Sequence, residues 1–600
     1  MSSSPVTSPN VTFLDNPIDI ILEIAHHLEL LERQEGDGVQ SSIMSLASCN
    51  TSLYILLSPL VFRKLVFEDN WYDSVSGKEL FNLREMCTML ANTPSYNPPW
   101  LLHVKDVQFL DWSNTNVIDS VTDIYARALG RLKGLETISF CHCFEVDERF
   151  FDVMGKQIFP RHIAIDNSPF RAESLRMAWL RITDATENQN LDENGRELRI
   201  HMFSQASPHG DTPEQLLTAL DSTPQMAQRL FSLSLSNSLH IDEIPLLFKV
   251  LPQAHHLEQL FITGITCNSL RSVYDDPEKD LRELRGLALP RTSLPNLTVL
   301  QIPPGFLPFF TLLLTRGSPR HILRKLDLSS YYGHDNLRSL CYIPVTNIPF
   351  DYLRGKDGES VPLPGVEELN IRIDQYLQWN LGEWFPNLKR LGVVDVSMAS
   401  TSSFLTLLAS HWPSFSPSST SSYSLQSLTV TSMPRDPRSM QFLGFLDYRY
   451  SELDLKWQVE GVKALSKGPS CLQSLREFSC GEPVVWRREP QTTREGGGPL
   501  PDASANAQSS SPGAECGITA PGDSGSPSTP GESQASEWMP WKPHVNLDCV
   551  ENIKDELQAM FDYGVTDLYS DYEGCLRALF SDEDRDGERR ALVQALEEEN

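Results

Sequence analysis

Basic residues are scarce in this chain: 50 lysines and arginines stand against 79 aspartates and glutamates, a formal charge of −29. Nucleic-acid affinity depends on cationic contacts to phosphate, so a general phosphate-neutralising role is disfavoured. Cysteine is sparse as well, with 11 in 600 residues, an odd count and no spacing that repeats like a disulfide framework. Reduced thiols are the natural reading. Cys141-His142-Cys143 is the one tight cluster of metal-ligand types, and no matching second half lies at zinc-finger spacing, so no metal is expected. Long apolar runs are missing too: the densest, Phe306 to Leu314, is interrupted by Pro308 and falls well short of the roughly 20 residues that cross a bilayer. The opening Met1-Ser2-Ser3-Ser4-Pro5 has neither the basic start nor the apolar stretch of a secretory signal. The expectation is a cytoplasmic or nuclear protein with no membrane and no nucleic-acid partner.

Catalytic signatures are absent in the same way. There is no Walker loop, no dinucleotide fingerprint, no His-Glu-x-x-His and no Gly-x-Ser-x-Gly. Aspartates and histidines are plentiful, yet none falls in a local arrangement that assigns a base, an orienting partner and a nucleophile. The chain reads as a non-catalytic protein with no cofactor.

What is there begins near the N-terminus. Asn16-Pro17-Ile18-Asp19-Ile20-Ile21-Leu22-Glu23-Ile24-Ala25-His26-His27-Leu28 opens on a proline whose fixed φ suits a first helical position. Ile20, Ile21, Ile24 and Leu28 then recur at the spacing of one helical face. Two further helical segments follow, Ile43 to Asn50 and Ser52 to Leu60, after a loop at Glu32 to Gln40 that carries Gly36 and Gly38. Over about 55 residues this order resembles an F-box, with Leu46 and Cys49 where that family carries an apolar residue and its frequent cysteine, and Asn16 where it usually has leucine. The resemblance implies that Pro17, Ile20, Ile21, Ile24, Leu28, Leu46 and Cys49 form an adaptor-binding face or its supporting core, the adaptor being of the Skp family and leading in turn to a cullin.

Between roughly Trp100 and Cys480 three apolar residues keep falling at positions one, four and six of a short pattern. Seven such triplets have leucine at the first two positions, starting at Leu230, Leu257, Leu284, Leu297, Leu323, Leu388 and Leu425. Composition alone would produce about three or four, so spacing must carry the argument. Leu230 to Leu257 is 27 residues, Leu297 to Leu323 is 26 and Val366 to Leu388 is 22, all within the roughly 20–29 residue period of leucine-rich repeats. Looser triplets start at Val104, Leu135, Val366, Tyr450 and Leu475, while residues 150–225 resist phasing. Leu294-Pro295-Asn296-Leu297 and Phe385-Pro386-Asn387-Leu388 share a lead-in that ends one connection and starts the next strand. The region resembles the irregular repeats often found behind an F-box. A strand with two or three inward apolar side chains cannot bury them alone, but stacked copies form a continuous core and a curved parallel sheet. Outward residues such as Glu258, Gln259, Phe261, Glu367, Glu368, Asn370 and Arg372 would then line a recognition face, and Pro213 to Leu220 reads as a helix of the opposite face. Ser414 to Ser424 reads as a surface loop.

After Cys480 the composition changes. Gly496 to Ser533 is mostly glycine, serine and proline, a composition that cannot bury enough apolar area to offset chain entropy. Leu547 to Asn600 carries 16 acids and five bases, with a helical spacing at Val550, Ile553, Leu557 and Phe561. Within it Asp582-Glu583-Asp584-Arg585-Asp586-Gly587 imitates the start of a calcium loop, then fails, because position twelve is Val593. Packing of this tail against the last repeat, anchored by Trp538 and Trp541, is the expectation.

The α/β organisation expected is therefore a disordered start at 1–12, an F-box-like helical domain at 13–68, an irregular leucine-rich-repeat solenoid with a curved parallel sheet at 69–480, a disordered linker at 481–545 and an acidic, partly helical tail at 546–600. Two functions fit. One is a substrate receptor of a Skp, cullin and F-box ubiquitin ligase that holds an unknown protein target on its repeats; the other is a protein-binding scaffold whose terminal helices merely shield the first repeat.

Overall fold

The computed structural model describes residues 21–22, 24–25, 41–49, 51–68, 86–110, 119–143, 145–187, 196–203, 212–236, 239–262, 265–266, 287–303, 306–316, 323–329, 362–372, 381–394, 425–430, 458, 462, 465, 475–480, 484–488 and 541–545. The chain divides into two compact units, Met1–Leu388 and Lys389–Asn600.

The first unit opens on helices. Ile21, Leu22, Ile24 and Ala25 are helical, followed by Ser41–Ser48 and Thr51–Val61. Leu53, Leu57 and Val61 recur every four residues and are buried, so they share one face of the Thr51–Val61 helix. Ala25, Ile43, Ala47, Leu57 and Val61 form one apolar cluster, with Leu46, Leu60 and Phe62 packed against it.

Two residues after that helix the sheet begins. Strand β1 (Lys64–Glu68) lies at one end of a parallel series of ten: β2 (Asp106–Leu110), β3 (Thr137–Cys141), β4 (His162–Asp166), β5 (Glu197–Phe203), β6 (Leu230–Ser236), β8 (Gln259–Ile262), β10 (Val299–Gln301), β11 (Lys325–Asp327) and β12 (Glu368–Arg372). Strands β7 (Leu239–His240) and β9 (Ile265–Thr266) pair separately. Each strand lies beside the next copy in sequence, the arrangement of an α/β repeat stack. Lys64–Glu68, within the stretch expected to be helical, is thus a member of the sheet.

The same device starts strand after strand. The Lys105 carbonyl accepts the N–H groups of both Glu136 and Thr137, at 2.7 and 2.9 Å. Glu258 does so for Thr298 and Val299, and Thr298 for Arg324 and Lys325. Within the strands side chains alternate between faces. Val107, Phe109, Ile138 and Phe140 are buried while Asp106, Gln108, Thr137 and Ser139 stay partly open. Helices cover the buried side: the Phe150 ring, on helix Glu148–Val153, lies 4.8 Å from Phe109 and 5.6 Å from Phe140.

The described apolar positions of the triplets starting at Leu230, Leu257, Leu297, Leu323 and Val366 are buried in or beside strands of this unit. The triplet at Leu284 is an exception. Leu284 lies outside the described residues, Leu287 sits in a helical turn, and Leu289 is buried outside the sheet, its N–H donating to the Phe309 carbonyl at 2.8 Å. That carbonyl lies in helix Leu307–Arg316.

Residues 150–225, which resist phasing by sequence, hold two complete strands. In β4 Ile163 and Ile165 are buried, and in β5 Leu198 and Ile200. The positions three before Ile163 and Leu198 are Pro160 and Gly195, so no leucine announces either copy. The phase also slips. Leu198 pairs with Leu230 but Arg199 with Ser232, so Phe231 is an extra residue in β6 and the two ladders meet at a β-bulge. The expected helix is present at Pro213–Ser222 with Leu216, Leu217 and Leu220 buried. Its start is held by Gln215 Oε1, which accepts the Thr212 N–H at 2.7 Å, and by Glu243 Oε1, which accepts the Glu214 N–H at 3.1 Å.

In the second unit β13 (Arg390–Val394), β14 (Ser427–Val430) and β15 (Glu477–Ser479) are parallel, carrying the triplets from Leu388, Leu425 and Leu475. Then the direction reverses. β16 (Val484–Arg488) and β17 (Trp541–Val545) pair antiparallel. Both lie within the stretch 481–545 expected as a disordered linker. Val484 and Trp486 are buried, and the Trp486 Nε1–H donates to Gln458 Oε1 at 2.9 Å, so this short apolar run has a core to enter. Gly496 to Ser533, Ser414 to Ser424, the triplet at Tyr450, Trp538 and the whole acidic tail lie outside the described residues. Trp541 is described, in β17, where it pairs with Arg488. No described helix is long and apolar enough to cross a membrane.

Candidate functional site

Two surfaces of the first unit have candidate roles. On the N-terminal helices, Pro17, Ile20 and Leu28 lie outside the described residues. Of the other positions singled out by sequence, Ile21 is 2% exposed, Ile24 is 37% exposed, Leu46 is half-buried against the helical core, and Cys49 is exposed with its thiol donating to the Ser45 carbonyl at 3.3 Å. Ile21 and Ala25 thus face inward, while Leu22 and Ile24 are exposed. Met44, Tyr54 and Ile55 are exposed as well, the last to 68%. Half of the ten large apolar side chains exposed among the described residues therefore fall between Leu22 and Ile55. Heptad-like reading of the Thr51–Val61 helix could have found one of them: with Leu53, Leu57 and Val61 inward, Ile55 falls on the opposite face, whereas Tyr54, seven residues before Val61, shares the inward side by spacing.

The second surface is the face of the sheet opposite the helices. Four consecutive strands bring polar side chains into a chain there. Asp166 Oδ1 lies 3.5 Å from His201 Nδ1, His201 Nε2 lies 2.7 Å from Ser232 Oγ, and Ser232 Oγ lies 3.3 Å from Gln259 Oε1. The Phe261 ring meets the His201 ring edge-on at 5.9 Å. Arg199 stands beside this chain with its Cζ 4.5 Å above the Phe231 ring and an Nη2 3.3 Å from Glu197. The hydrogen bond from His201 holds the Asp166 carboxyl below its ordinary range, against partial burial that pushes it up. Further along, Lys325 pairs with Glu368 and Asn370 Nδ2 donates to Asp327 Oδ2 at 2.9 Å. Of the outward residues singled out by sequence, Gln259, Phe261, Glu368 and Asn370 belong to this face. Asp166, His201 and Ser232 were not singled out, because residues 35 and 31 apart in sequence carry no local signal.

Carboxylate, imidazole and hydroxyl in this order are the parts of a hydrolase relay. The hydroxyl is closed off here: Ser232 is 1% exposed, in the middle of β6, between His201 and Gln259. No approach to it for a carbonyl carbon is open. The arrangement is a hydrogen-bonded ladder across the sheet.

Cys141, His142 and Cys143 do not gather as ligands, and no group of three or more metal-ligating side chains occurs among the described residues. Cys143 is buried, its N–H donating to Ser168 Oγ at 2.9 Å, and Cys141 Sγ accepts from Gln108 at 3.6 Å.

No protein-family model matches the chain, and no curated protein sequence does. Among solved structures, one chain of the crystal structure of the Rad7 and Elc1 complex in yeast is similar at 16% identity and a TM-score of 0.25, with 60% of this chain and 93% of that one covered. A superposition that loose decides nothing about function.

Proposed function

We propose that this chain is a substrate receptor of a Skp, cullin and F-box type ubiquitin ligase: its N-terminal helices dock a Skp-family adaptor, and the open face of its repeats holds a protein target. The chain itself catalyses nothing in this reading; modification of the target follows from proximity to the ligase machinery. The observation that carries it is the concentration of exposed aliphatic and aromatic side chains on helices that already have a core. Ala25, Ile43, Ala47, Leu57 and Val61 pack inward, so Ile24, Met44, Tyr54 and Ile55 are exposed for another reason. The F-box resemblance of the same helices says which partner to try. A cytoplasmic or nuclear location goes with this role.

A second reading has its own observation. Only two residues separate the Thr51–Val61 helix from β1, Phe62 stacks on Trp100 at 5.3 Å, and the Arg63 carbonyl accepts the N–H groups of Lys105 and Asp106 at 2.9 and 3.0 Å. The helices are built onto the first repeat, as a scaffold's terminal cap would be.

The experiment is capture of a Skp-family adaptor by the full chain, wild type against an Ile24→Asp, Ile55→Asp double variant that retains its thermal transition. The receptor reading expects binding by wild type and a loss of about tenfold or more in the variant. No binding by wild type, or equal binding by both, leaves the capped scaffold.

A further inference from the structure

The ladder on the open face has a property that its geometry imposes. Ser232 has one hydroxyl proton and two polar neighbours, His201 Nε2 at 2.7 Å and the Gln259 amide, whose Oε1 is at 3.3 Å. The proton can go to one of them only. When the His201 ring is cationic, both its nitrogens donate: Nδ1–H toward Asp166 and Nε2–H to Ser232 Oγ. The serine proton then goes to Gln259 Oε1, the atom that faces it in the structure. When the ring is neutral, Asp166 keeps the remaining hydrogen on Nδ1, and Nε2 becomes an acceptor. It takes the serine proton, and the Ser232 oxygen is then satisfied by a donor from the other side. Gln259 supplies one if its amide turns by half a revolution, which exchanges two groups of nearly equal size about a soft terminal torsion.

We propose that His201 is a proton-driven switch for the amide of Gln259, with Ser232 as the relay. Protonated, it leaves the NH2 group of Gln259 turned away from Ser232; neutral, it leaves the carbonyl oxygen there. The same point of the open face thus offers a hydrogen-bond donor on the acid side of the imidazole titration and an acceptor on the alkaline side. A partner presenting a carboxylate or a backbone carbonyl is favoured by acid.

Charged and polar groups face the ring from the strands on either side. Asp166 on β4 supplies the opposite charge, with His142 at the end of β3 near enough to act on that carboxylate. On β5 itself Arg199 is held by Glu197, which His162 also approaches at 3.4 Å. On the other side stand the uncharged Ser232, Ser234 and Phe261. This inference goes beyond the ligase reading and does not depend on it.

The test is NMR on the full chain, deuterated, with labelled histidine rings and glutamine side-chain amides, from about pH 5 to about pH 8. His201→Asn and Gln259→Met assign the two signals. The switch expects the Gln259 amide to shift with the same midpoint as the His201 ring, and to lose that dependence in Ser232→Ala while the ring still titrates. Asp166→Asn, which leaves the relay intact, is expected to move both midpoints down together. A Gln259 signal flat with pH in wild type overturns the switch. So does a His201 ring that does not titrate in this range, a Gln259 signal that still follows His201 in Ser232→Ala, or midpoints that separate in Asp166→Asn.

Discussion

The two ends of the first unit's sheet fill one buried row with different side chains. From β1 onward the row reads Phe67, Phe109, Phe140, Ile165, Ile200, and then Leu233, Leu260, Leu300, Leu326 and Leu369. At the first end the rings stack, Phe67 on Phe109 at 5.0 Å and Phe109 on Phe140 at 5.2 Å. At the other a plain ladder of leucines does the same work. Parallel strands place equivalent positions side by side, so any side chain of suitable volume continues the row. The leucine pattern is one solution, and the aromatic end is a second that a leucine search does not find.

The comparison can be broken at the aromatic end. Phe140→Ala removes a ring packed on Phe109 and Phe150 and is expected to cost about 3–5 kcal/mol, against about 2–5 for Leu260→Ala. Chemical denaturation of both variants checks this. Phe140→Leu, which converts the aromatic row to the leucine solution, should recover part of the loss.

A close approach near the aromatic end comes next. Gly155 has φ 75°, and a Cβ there would lie 2.5 Å from Arg181 Cβ and 2.9 Å from the Ile182 nitrogen. Gly155→Ala is expected to cost about 1–3 kcal/mol, from the strained backbone and from the clash with helix Ala172–Glu187. A drop in the thermal transition that leaves the helical circular dichroism of the folded state unchanged is the expected result.

Where the ladders meet, the effect depends on pH. The Asp166 carboxyl is held low in the folded chain, so its contribution to stability is present above the unfolded carboxylate range and is lost as pH falls through the folded value. Wild type should therefore lose stability faster than Asp166→Asn on acidification below about pH 4. Equal slopes in the two proteins would contradict the pairing with His201.

The smallest effect is expected on the N-terminal helices. Ile55→Asp, at an exposed position, should change stability by no more than about 0.5 kcal/mol. This contrast with the buried rows separates a docking face from a core.

Legibility followed the length scale of each feature. The leucine triplets were readable because three residues within six carry a whole strand's burial, and the helix at Pro213 because its apolar spacing is local. The slip at Phe231 was not readable, since a bulge is a relation between β5 and β6. Nor were β16 and β17, whose pairing joins residues more than 50 apart across a glycine-rich stretch. On the helices the periodic face was visible, but its direction was not: Ile21 and Ala25 turned inward and Ile24 outward, with Ala25 packed into one cluster with Ile43, Ala47 and Leu57.

By itself, the sequence determined the strand-forming triplets, the shortage of cationic and membrane-spanning segments, and the resemblance of the first helices to an F-box. All of these are properties of neighbouring residues, set by alternation, helical spacing and composition. Tertiary structure alone decided which apolar side chains of those helices stay exposed, and it alone assembled Asp166, His201, Ser232 and Gln259. Those four sit on separate strands, and only in-register parallel pairing, held by backbone hydrogen bonds and the buried row beneath, brings them within reach of one another.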